Sequence, residues 1–102
     1  MPDPLALERL GLGAEAWNAW RRTDTAIPPD LRDADLRNRA LKRYDLSGAD
    51  LRGAPLESVH LDEVDPSGAD LTLADLTGAR IWDSRLVGAN LSSAVLDRTR
   101  IE

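Results

Sequence analysis

The sequence predicts an all-β solenoid, a chain that turns a corner in every five residues, preceded by a short helical cap. Three observations carry this. Every fifth residue from Leu31 to Ile101 belongs to one unbroken register, and fourteen of its fifteen positions are Leu or Ile, with Pro66 the exception. Two residues before these positions the chain repeatedly places a small side chain, at Ala34, Ala49, Ala54, Ala69, Ala74, Ala79, Ser84, Ala89 and Ala94. Two residues after them stand Gly48, Gly53, Gly68, Gly78 and Gly88.

Residues 1–28 lack the five-residue period and read as helical. Asp3 is placed to cap a first turn opened by Pro4, giving a helix through Leu10 that Gly11 and Gly13 interrupt. A second helix covers about residues 14–22, with Glu15 in its first turn and Arg21 and Arg22 in its last, the arrangement that the helix dipole favours. Leu10, Trp17 and Trp20 fall on one side. A terminal repeat needs a cover, so this segment is expected to cap the first coil, where the small inward position becomes Arg39 and Tyr44. Ile27, Pro28 and Pro29 make a stiff link, and residues 29–102 form the repeat domain.

A period of five fits neither ordinary element. An α-helix advances 100° per residue and would smear the leucines around its circumference. A flat strand with an odd period would send successive leucines to opposite faces. The chain can point every fifth residue inward only by following a short extended piece with a turn, and the glycines stand where a type II turn needs positive φ.

The repeat is plainest in Ser47-Gly48-Ala49-Asp50-Leu51, Ser67-Gly68-Ala69-Asp70-Leu71 and Val87-Gly88-Ala89-Asn90-Leu91. This pattern resembles the pentapeptide-repeat family over residues 29–102, and Ala16 to Arg21 followed by Pro29-Asp30-Leu31 is similar to the lead-in of many such arrays. The resemblance implies a right-handed quadrilateral β-helix with four pentapeptides to a coil, hence under four coils. The chain departs from the family pattern in having no Phe at the central position and in Pro66. Lacking an N–H, Pro66 is expected to open the ladder between Leu46 and Leu86 and leave a local bulge.

With four repeats to a coil, residues twenty apart stack at about 4.8 Å. Asp30, Asp50, Asp70 and Asn90 then form one column beside Arg32, Arg52, Thr72 and Ser92, while Lys42 lies above Asp62 and Arg43 above Glu63 as opposite-charge rungs. Residues 49–78 hold one basic group, Arg52, against Asp50, Glu57, Asp62, Glu63, Asp65, Asp70 and Asp75, an acidic belt around the middle of the stack. The belt reads as a surface for a basic partner or, more simply, as Asp carboxylates bonding nearby backbone N–H groups.

A net charge of −5 argues against direct binding to nucleic acid or to an anionic membrane surface. Without Cys, and with His60 the single His, neither a disulfide framework nor a usual zinc site can be assembled. No apolar run approaches the ~18 residues of a membrane span, and a cytoplasmic protein is expected. Ser58, His60 and Asp62 are close in sequence, but the repeat turns all three outward on a rim without a pocket, which denies them the aligned base and oxyanion hole of a triad. No catalytic residue, cofactor or metal is therefore expected.

What remains is a non-catalytic repeat scaffold that binds another, unidentified protein. The family resemblance adds an alternative, an acidic DNA mimic that binds DNA gyrase or another DNA-binding protein, because quinolone-resistance members are acidic stacks of that kind. The last coil is the candidate contact surface: Trp82, Val87 and Val95 are apolar at outward positions, and Leu96 and Ile101 flank an uncovered edge. Related proteins are often joined through their C-terminal ends, so a homodimer through this coil is expected. An array continued downstream would cover the same surface instead.

Overall fold

The computed structural model describes residues 3–23, 28–84 and 86–102; Ile27 of the expected link lies outside the described residues. Two helices, α1 (Pro4–Gly11) and α2 (Ala14–Thr23), precede four short strands, β1 (Ala40–Lys42), β2 (His60–Asp62), β3 (Arg80–Trp82) and β4 (Arg100–Ile101). The strands form one parallel sheet in chain order. Partners are twenty residues apart, as in Leu41↔Leu61 and Leu61↔Ile81, so four five-residue units separate one rung from the next. Isolated bridges Asp30↔Asp50, Asp45↔Asp65 and Pro55↔Asp75 repeat that offset on the other faces. The architecture is a β-helix solenoid.

The core follows directly from the register. From Leu31 to Ile81 the inward positions and the small-residue column beside them are buried, except at Arg39. Each coil is tied to the next by backbone bonds in both directions: Leu51 donates to the Asp70 carbonyl (2.8 Å), while the Asp70 N–H reaches back to Ala49 (2.9 Å). Every corner from residue 33 to residue 98 adopts the left-handed conformation, with φ between 51 and 72°. Five of these corners are glycine, as the turn geometry leads one to expect. The other nine are not, and they include Asp33, Asn38 and Leu73. Inter-coil bonding imposes the corner whether or not glycine is there.

Pro66 corrects one expectation. The register stays at twenty on both sides of it, with Asp45↔Asp65 and Asp50↔Asp70 paired normally, and no bulge forms. A bulge requires an extra residue on one strand, whereas Pro66 removes only a donor. Its ring is buried in the leucine column, and its carbonyl still closes the corner by accepting from Ala69 N–H (2.9 Å).

The helices cover the first coil. Asp3 caps α1, its Oδ1 accepting from Leu5 N–H (3.1 Å), and its own N–H bonds to the Asp30 carbonyl (2.9 Å). Leu10 and Trp17 are buried, and Trp20 is half-buried, edge-on to Trp17 with ring centres 5.0 Å apart. Tyr44 is inward as expected, its hydroxyl donating to the Leu10 carbonyl (2.8 Å). Arg39 is not, and it remains exposed. A guanidinium without acceptors would be costly in this apolar layer.

Candidate functional site

The surface columns divide by what their polar side chains are engaged in. Each acidic or amide residue directly before an inward position, from Asp30 to Asn90, accepts the backbone N–H of the residue two further on, at 3.0–3.3 Å. That second residue then closes the brace with its own side chain. Where it is Ser or Thr, as at Ser47, Ser67, Thr72, Thr77 and Ser92, the hydroxyl donates to the same oxygen at 2.5–2.6 Å. Where it is Arg, the guanidinium grips the carboxylate with two bonds, for example Arg52 to Asp50 at 2.8 and 2.7 Å. The Arg side chains also lean toward the next coil, Arg32 reaching Asp50 at 3.7 Å and Arg52 reaching Asp70 at 4.0 Å.

These contacts set the ionisation of the columns. Asp30 and Asp50 are held below the ordinary carboxylate range, first by the Arg side-chain hydrogen bond. Asp35 is lowered to about 2 by the same bond from Arg37. Asp75 is lowered first by the Thr77 hydroxyl. Glu57 goes the other way, raised first by desolvation and then by the neighbouring Asp75 carboxylate.

Four of the seven belt residues, Asp50, Asp65, Asp70 and Asp75, are thus engaged within their own repeats. Glu63 pairs with Arg43 at 3.2 Å, whereas Lys42 and Asp62 stack in register without an ion pair. Among the described residues no group of three or more His, Cys, Asp or Glu is arranged to hold a metal ion, and no helix is long and apolar enough to cross a membrane.

The residues of the last coil do not form one lateral patch. Trp82 lies on β3, Val87 at a corner of the next face and Val95 in the column of Asp75. What they border is the end of the stack, where Leu96 and Ile101 are 42% and 50% exposed although the equivalent Leu76 and Ile81 are at most 1% exposed. Among the described residues β4 pairs with β3 and with no other strand. Ser58 and His60 are exposed and Asp62 is half-buried on the outer surface.

Two residues at the opposite end were not legible from patterning. Asn18 imitates a peptide unit: its Nδ2 donates to the Arg43 carbonyl (2.7 Å) and its Oδ1 accepts from Asp45 N–H (2.8 Å). Arg21, buried in α2, donates to the carbonyls of Asp45 (3.0 Å) and Ser47 (2.7 Å), and Trp17 Nε1 also donates to Asp45 (2.7 Å). Their only signal is the i, i+1, i+4 spacing of Trp17, Asn18 and Arg21, which puts three donors on one side of a helix.

A family model described as pentapeptide repeats matches residues 30–65, 49–81 and 74–102, with eight copies. No curated protein matches the chain. Among the solved structures similar to it are three pentapeptide repeat proteins. The pentapeptide repeat protein Rfr23 from the cyanobacterium Cyanothece 51142 is 23% identical, with 70% of this chain and 62% of that one covered and a TM-score of 0.46. The pentapeptide repeat protein alr5209 from Nostoc Pcc 7120 is 33% identical over 86% of this chain and 71% of that one, with a TM-score of 0.42. HetL, a pentapeptide repeat protein involved in heterocyst differentiation regulation in Nostoc sp. strain PCC 7120, is 30% identical over 65% of this chain, with a TM-score of 0.33. The chain spans 62% of the length of the first and 38% of the third.

Proposed function

The chain belongs to the pentapeptide-repeat family, and from that premise we propose that it is a non-catalytic cytoplasmic scaffold, a right-handed quadrilateral β-helix of under four coils that works by binding another protein. The observation behind this reading is the contrast between its two ends. The first coil has its carbonyls met by α2, while among the described residues Leu96 and Ile101 are exposed and β4 pairs with β3 alone. An exposed strand edge beside apolar side chains is a template for pairing with another chain. The covering chain in this proposal is a second copy, related by a two-fold axis that brings the same patch to both sides. Light scattering on the purified chain is expected to give twice the monomer mass, and Val95→Lys to shift the population to monomer. A monomer at high micromolar concentration would overturn the homodimer.

The alternative of an acidic mimic of DNA directed at gyrase draws less support from the geometry. A mimic needs carboxylates free to meet a basic groove, and Asp50, Asp65, Asp70 and Asp75 are turned back onto their own repeats. A supercoiling assay with the purified protein separates the readings, the scaffold leaving gyrase unaffected.

A further inference from the structure

The cations of the stack are not all used alike. Arg32, Arg37 and Arg52 each lie on a carboxylate of their own repeat, and Arg43 meets Glu63. Arg80 and Arg100 have no such partner among the described residues, although they sit in direct register across β3 and β4. Like charges opposite one another on adjacent strands are destabilising. His60 extends the same column on β2, and the Arg80 guanidinium rests instead over Trp82, 5.6 Å from the ring centre. Beside this column runs a groove of about 150 Å³ whose apolar lining includes Ala40, Leu61 and Trp82.

The size of the groove decides what it can take. Small-molecule sites usually enclose about 300–1,000 Å³, so this one accommodates a single side chain. The charge decides the flanks: a chain of net charge −5 repels an acidic partner over most of its surface, and an unpaired Arg column is where that repulsion reverses. We propose that this sheet face docks an extended acidic peptide segment of the protein partner, with one apolar side chain against Trp82 and neighbouring carboxylates on Arg80 and Arg100. Across the groove from Arg80, Lys42 and Asp62 stand in register, opposite charges that offset one another there. The proposal rests on the scaffold reading and names the chemistry of its partner.

The test is a titration of the full chain, followed by the indole N–H resonances, with a blocked hexapeptide of five glutamates and one leucine. The Trp82 resonance is expected to shift saturably while that of buried Trp17 stays fixed. Arg80→Gln and Arg100→Gln should each weaken binding about tenfold, the scale of one charge-assisted contact, with unchanged circular dichroism. Replacing the leucine of the peptide by glycine should weaken it as well. Equal affinity for inorganic phosphate would make this a small-anion site and overturn the peptide assignment, as would no shift at millimolar peptide. If a partner captured by the parent chain is still captured by the doubly substituted protein, the scaffold stands and this face is not where it binds.

Discussion

Leu73 violates two rules at once, since it is 65% exposed and holds a left-handed φ of 62°. A leucine there sets its Cβ against the following carbonyl, at a cost of about 1–2 kcal/mol. The neighbouring corner in the same column is Gly53, at φ 68°, so the backbone at this level already accepts glycine. Leu73→Gly removes the steric penalty and an exposed apolar group, and offsets part of the gain by loosening the unfolded chain. The net effect is expected to be a stabilisation of roughly 0.5–1 kcal/mol, seen as a melting temperature a few degrees higher in thermal circular dichroism. An unchanged or lower melting temperature would mean that Leu73 makes a contact worth more than its strain.

At the scale of elements, the helical cap is joined to the stack by polar contacts as much as by packing. The expected face of Leu10, Trp17 and Trp20 is real, and the amphipathic pattern made it legible. Asn18 and Arg21 escaped that pattern because the signal they answer, open N–H and C=O groups of a first coil, exists only once the coil is built. The repeat itself was legible almost residue by residue, because its one-dimensional contacts fall at fixed sequence separations. Bulkier corners and Pro66 were less so, since the coil imposes geometry that local propensity does not encode. Asn18→Ala would leave the Arg43 carbonyl and the Asp45 N–H without their partner. A loss of about 1–3 kcal/mol is expected, accompanied by greater access of a fluorescence quencher to Trp17, which is buried in the intact cap. Stability lost without a change in quenching would place the effect elsewhere than the cap.

Across the whole molecule, the columns couple stability to pH in two opposing senses. Asp30, Asp35 and Asp50 have folded pKa values below the ordinary 3.8, chiefly through Arg hydrogen bonds. A depressed acid stabilises the fold above its unfolded pKa and ceases to do so as pH falls through the folded value. Their contribution is therefore complete at neutral pH and fades between about 4 and 2, the lower limit set by Asp35. Glu57 has the reverse sign. Desolvation and the neighbouring Asp75 carboxylate raise it above 4.5, outweighing the opposing attraction of Arg37, so its ionised form burdens the fold at pH 7 and its neutral form relieves it below the unfolded value. Glu57→Gln abolishes the charge and supplies an amide donor beside the Asp75 carboxylate. Its melting temperature is expected to exceed that of the parent at pH 7 and to converge with it near pH 3.5, where the parent residue is protonated in both states. Thermal melts of the two proteins across that range check the sign. A variant that melts lower at pH 7 would show that Arg37 holds the Glu57 carboxylate as a stabilising ion pair across the coils.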